Sequence, residues 1–167
     1  MEQRTDIRIP VEGEELHAWW YPPHDVNGPA PCVVLAHGFG GIKQMRLWAY
    51  AEQFSEAGFG ALVFDYRHFG ESTGQPRNLL DLGKQFSDWN AAITAARARP
   101  DVDPDRVAVW GSSMSGGMVM MVAARDARIA AGRREIDPHY VGQSHTALGC
   151  RKHPNTTHRP TSDHYRR

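Results

Sequence analysis

Gly111-Ser112-Ser113-Met114-Ser115-Gly116-Gly117 places a serine among small residues between two apolar segments, a spacing that suits nucleophilic attack on a carbonyl. The four residues before it, Val-Ala-Val-Trp at 107–110, read as a short buried strand, and the segment opening at Met118 reads as a buried helix. A serine held in so sharp a strand-to-helix turn needs small neighbours two positions before and after it, which Gly111 and Ser115 supply around Ser113. The helix that follows brings backbone N–H groups and the positive end of its dipole to the place where an oxyanion would develop. Met114 N–H is one expected donor. The second is expected from His37-Gly38-Phe39-Gly40-Gly41, with Phe39 supplying the N–H. A turn rich in Gly and Ser can also cradle a phosphate or simply ease packing, but the Lys-Ser/Thr pair of a phosphate loop is absent.

These groups meet only if the intervening chain alternates strands and helices. Ile7 and Ile9 alternate with polar residues, and 16–21 is a second β-favouring run after a turn at 12–14, so the chain should open with a hairpin. The apolar run 32–36 predicts a strand buried on both faces. Leu47, Tyr50, Ala51 and Phe54 recur at helical spacing, with Gly58 where a C-terminal cap belongs. A second buried strand follows at 61–64 and a polar loop at 65–76. Residues 79–99 then form a helical pattern with Leu82, Phe86, Trp89, Ile93 and Ala96 on one stripe, ended by Pro100. The pattern calls for an α/β fold: a mostly parallel sheet with helices on both faces and a site at the carboxyl ends of its strands. Packing is the expected role of Trp19, Trp20, Trp48 and Trp89, and core filling that of Met118, Met120 and Met121.

Three spaced features together resemble the α/β-hydrolases, in particular bacterial serine esterases and the serine aminopeptidase and Xaa-Pro dipeptidyl-peptidase-like branches. His37-Gly38 resembles the oxyanion loop, Asp65-Tyr66-Arg67-His68-Phe69-Gly70-Glu71-Ser72 resembles the D-x-R-G-x-G-x-S loop, and the elbow resembles G-x-S-x-G. Ser115 stands in place of the last elbow glycine and His68 in place of a usual glycine. The resemblance covers residues 1–129. It implies a truncated α/β-hydrolase fold and a serine hydrolase acting on ester or related acyl bonds, with Ser113 as nucleophile and Phe39 and Met114 forming the oxyanion hole. His37 is expected to orient its loop rather than act as base, and Asp65 and Arg67 to tie a loop together by charge-assisted hydrogen bonds.

The acid and the histidine of such a triad follow the nucleophile in this family. After residue 129 the apolar periodicity stops. Residues 1–129 hold 12 Lys and Arg against 16 Asp and Glu, a net of −4, whereas 130–167 hold 7 against 3, a net of +4, with five of the nine histidines. This basic tail reads as irregular, and as a shifted reading frame or truncation scar in place of the family's C-terminal half. The nucleotide sequence in the other frames checks that expectation. Asp137, Asp163, His139, His145, His153, His158 and His164 are available to complete a triad, yet none follows a recognisable strand. The elbow strand at 107–110 would then be an exposed apolar edge open to self-association. The alternative function is a catalytically inactive fragment or binding module that keeps the elbow and lacks the acid and histidine.

Balanced charge, 19 basic against 19 acidic residues, favours neither nucleic acid nor an anionic membrane as partner, and the resemblance implies a small ester or acyl compound as substrate. Two cysteines, Cys32 and Cys150, make no disulfide scaffold and no metal pair, so a reducing, cytoplasmic compartment is expected. No metal or organic cofactor is expected, because the mechanism uses protein groups alone.

Overall fold

The computed structural model describes residues 4–135, the last five of them as backbone only. Alternating apolar and polar residues form β1 (Thr5–Val11), and β2 (Glu14–Tyr21) returns antiparallel to it. Glu12 and Gly13 make the turn alone, both at positive φ, 48° and 81°, the twist that a two-residue hairpin loop requires. The expected alternation follows. It runs through β3 (Ala30–Ala36), α1 (Leu47–Glu56), β4 (Gly60–Phe64), α2 (Leu82–Arg97), β5 (Val102–Ser112), α3 (Met114–Arg125) and β6 (Ala131–Glu135).

Six described strands form one sheet in the order β1-β2-β4-β3-β5-β6. β4, β3, β5 and β6 run parallel, and the opening hairpin joins them antiparallel through β2. Successive residues of the central strands point to opposite faces and so build two cores. Cys32, Val34, Leu62, Phe64, Val107 and Val109 pack with Trp89, Ala92 and Ile93 of α2 and with Met118, Val119 and Val122 of α3. Val33, Leu35, Ala61, Val63 and Trp110 pack on the other face with Leu47 and Ala51 of α1. Both faces are covered, which is why these strands read as continuous apolar runs.

Four expectations differ from the structure. Leu82 is 53 % exposed, because it is the first residue of α2, one turn before the buried stripe begins. Met118 is core, but Met120 and Met121 are 45 % and 42 % exposed, since a helix lying on a sheet buries only one stripe and these two point away from it. Trp48 is exposed rather than packed. The edge expected along the elbow strand is absent, because β6 pairs with β5 from Ala108↔Ala131 to Ser112↔Glu135. Ala-Gly-Arg-Arg-Glu carries no apolar alternation, and it is backbone pairing rather than side-chain pattern that makes it a strand. Among the described residues no helix is long and apolar enough to cross a membrane.

Candidate active site

Parallel pairing brings three loops to one end of the sheet. Ala36 faces both Phe64 and Gly111, so the segments after β3, β4 and β5 emerge side by side. Ser113 sits between β5 and α3 with φ 49° and ψ −118°, a conformation costly for any residue with a Cβ. Its tight turn explains the small neighbours. A Cβ on Gly111 would lie 2.5 Å from the Ser115 carbonyl oxygen, and one on Gly38 would lie 2.9 Å from Ser113 Cβ. The loop after β3 therefore touches the elbow directly. Among the described residues no hydrogen bond occupies the N–H of Phe39 or of Met114, and Met114 opens α3, where the helix dipole is positive.

His37 is buried beneath this loop. Its Nδ1 lies 2.9 Å from the Gly38 carbonyl oxygen, which can only accept, so Nδ1 carries the proton. Its ring packs edge-on against Tyr66 and Phe69, with Nε2 3.8 Å from Asp65 Oδ1. Burial, only partly offset by the Gly38 contact and by Asp65, holds its pKa below the ordinary imidazole value. The expected orienting role fits this geometry. Neither His37 ring nitrogen hydrogen-bonds Ser113.

Lys43 is fully buried, and nothing in the sequence pattern singles it out. Its backbone N–H donates to Asp65 Oδ1 at 2.7 Å and its ammonium to Asp65 Oδ2 at 2.6 Å, with Glu71 Oε2 at 2.5 Å. Asp65 also accepts from the Glu71 N–H at 3.0 Å. One carboxylate thus fastens the loop after β3 to the loop after β4. Arg67 fastens the second loop to α2, donating from Nε to Asp88 Oδ1 at 2.5 Å and from a terminal nitrogen to the Lys84 carbonyl at 2.9 Å. Asp65 and Arg67 therefore tie their loop as expected. His68 has φ 71°, which explains why a glycine would suit its position. Its strain is held by hydrogen bonds from His68 N–H to the Thr73 carbonyl and from Asn78 N–H to the His68 carbonyl, both at 2.8 Å.

Ser115 is fully buried beside these anchors. Its hydroxyl bonds the His37 carbonyl and the Tyr66 hydroxyl, and Trp89 Nε1 donates to Tyr66 at 2.8 Å. The sequence offers Ser115 as merely small. Its polar contacts reach residues 78 and 49 positions away, a distance that no local pattern spans.

The described histidines make other contacts, and His37 Nε2 is buried without a hydrogen-bond partner. His17 lies by Asp6 and Glu71, His24 by Asp25, His37 by Gly38, and His68 by the Pro76 carbonyl and Lys84. Asp137, Asp163, His139, His145, His153, His158 and His164 lie outside the described residues. Among the described residues no group of three or more His, Cys, Asp or Glu side chains could hold a metal ion. Cys32 is buried and its thiol is pushed up to about 12 by desolvation, which makes it inert.

Known proteins share this architecture. The family model for the alpha/beta hydrolase fold matches residues 31–132. Quorum-quenching protein AidA of Acinetobacter baumannii is 47% identical over 126 residues, 75% of this chain and 41% of that protein. Thiohydrolase aneE of Aspergillus aculeatus is 42% identical over 122 residues, 72% of this chain and 37% of that protein. Among solved structures, the alpha/beta hydrolase GrgF from a Penicillium species superposes with a TM-score of 0.74 at 30% identity, covering 79% of this chain and 45% of GrgF. The chain thus spans about two fifths of the length of these curated relatives. A parallel sheet with a strained serine between its fifth strand and third helix, matched by the family model over more than half its length, makes this chain a member of the α/β-hydrolase family.

Proposed function

We propose that the chain carries the nucleophile and oxyanion site of a serine hydrolase acting on ester or thioester bonds. The observation that carries this reading is the backbone of Ser113, at φ 49° and ψ −118° on the strand-to-helix junction. Packing alone gives no reason to hold a serine in that conformation at the carboxyl end of a central strand. Ser113 Oγ attacks the acyl carbonyl, the N–H groups of Phe39 and Met114 receive the negative charge, and an alcohol or thiol departs to leave an acyl-serine for water to cleave. The proton of Ser113 passes to a base outside the described residues. A thiohydrolase among the relatives supports thioesters beside oxygen esters. Phe39 and Met45, 75 % and 66 % exposed near the loop after β3, support an apolar acyl group.

A second reading, an acyl-binding protein without turnover, is favoured by the contacts of the four described histidines, which are with groups other than Ser113. Hydrolysis of chromogenic oxygen esters and thioesters of graded acyl length separates the two. Turnover above buffer that disappears in Ser113→Ala supports the hydrolase. Binding of the acyl compounds with no Ser113-dependent release from any of them supports the second reading and overturns the first.

A further inference from the structure

We propose that the Ser115 hydroxyl is a positioning group, the last link of a buried chain from Trp89 through Tyr66 that fixes the loop after β3 against the elbow. The inference rests on the proposed oxyanion role of that loop. It gives position 115 a task that small size alone does not.

The two ends of the chain set its polarity. Trp89 Nε1–H can only donate and the His37 carbonyl can only accept. Trp89 therefore donates to the Tyr66 oxygen at 2.8 Å, Tyr66 donates to Ser115 Oγ, and Ser115 donates to the His37 carbonyl. Trp89, Tyr66 and Ser115 are fully buried and His37 nearly so, which leaves no water to replace a missing partner. Burial also raises the Tyr66 phenol above its ordinary range, which keeps it a donor.

The anchored carbonyl belongs to the residue just before Gly38, and Gly38 is the residue in contact with Ser113. Phe39 N–H follows one peptide later. A glycine at 115 would satisfy the steric demand of Gly111, whose own added Cβ would already meet Ser115. It would nonetheless leave the His37 carbonyl without a donor and the Tyr66 O–H without an acceptor in the interior. Oxyanion donors act through their placement, so a loop freed by a few tenths of an ångström stabilises the transition state less.

Ser115→Gly, Tyr66→Phe and the double variant test this by two readouts. The first is amide hydrogen exchange, which needs no activity. Ser115→Gly is expected to speed exchange about tenfold at the Gly41 amide, whose N–H donates to the Gly38 carbonyl at 3.3 Å, with the central strands β3 and β4 unchanged. Tyr66→Phe, which keeps the Ser115 to His37 bond but loses the donor that aims it, should do so by less. The double variant should match Ser115→Gly, because Tyr66 acts only through Ser115. The second readout is the rate at which a fluorophosphonate labels Ser113, which should fall in the same order. Unchanged exchange at the Gly41 amide in Ser115→Gly, or additive effects in the double variant, would overturn the proposal. Should Ser115→Gly fail to fold, unchanged exchange in Tyr66→Phe overturns it equally. A wild-type chain that takes no label counts against the hydrolase reading, while the exchange experiment still decides the role of Ser115.

Discussion

Ser113, Gly111 and Gly38 were legible from residue type because each answers to a backbone constraint. A positive φ at Ser113 and a contact too close for a Cβ restrict which residues fit, and the restriction shows as a run of small residues. Gly111→Ala should accordingly cost about 1–3 kcal/mol, read as a lower urea midpoint, because its Cβ would meet backbone atoms of Ser115 rather than a movable side-chain end. Lys43, Tyr66 and Trp89 gave no such warning. Their partners lie 22 and 23 or more positions away, and a buried lysine in a loop reads as an ordinary solvated one until Asp65 is placed beside it. His37 supplies a pH dependence at this scale. Burial disfavours its imidazolium, so the unfolded chain binds a proton below about pH 6.5 that the folded chain resists. Its contribution is whole above that pH and is lost as the pH falls through it. His17, lowered by burial as well, acts with the same sign. Asp88, pushed up to about 6 chiefly by burial, acts with the opposite sign at lower pH. The loss in urea midpoint between about pH 8 and pH 5.5 should therefore be smaller in His37→Gln than in the wild type. An equal loss in both would remove His37 from the account.

Elements are legible from hydrophobic period where side chains face a core. The hairpin, the three central strands and the three helices all carry apolar residues at the spacing their burial demands. Boundaries moved where other interactions decide them. α2 starts at Leu82, later than the apolar pattern, because the Asp81 side chain accepts the Lys84 N–H at 3.0 Å and caps the helix there. Asp81→Ala should lower the urea midpoint and leave the rate of Ser113 labelling unchanged. No measurable change would mean that the helix end is held by packing instead. β5 begins at Val102, five residues before its apolar run, in pairing with Ala30 across an irregularity. β6 escaped the sequence reading altogether, since a strand recruited by the backbone of β5 need not alternate.

At the scale of the molecule, parallel order does the functional work. The crossovers put α1 on one face and α2 and α3 on the other, and leave the ends of β3, β4 and β5 side by side. Residues 31–132 match the alpha/beta hydrolase family, and relatives that include a thiohydrolase are more than twice as long as the segment they share with this chain. The proposal accordingly places the nucleophile and oxyanion donors within residues 31–132 and the base outside the described residues. Fluorophosphonate labelling read by intact mass tests the central claim most directly, because it asks whether Ser113 is activated without requiring the substrate. The expected result is one adduct per folded chain, lost in Ser113→Ala and in heat-unfolded protein. A soluble, folded chain that takes up no label, or one whose label survives Ser113→Ala, would contradict it.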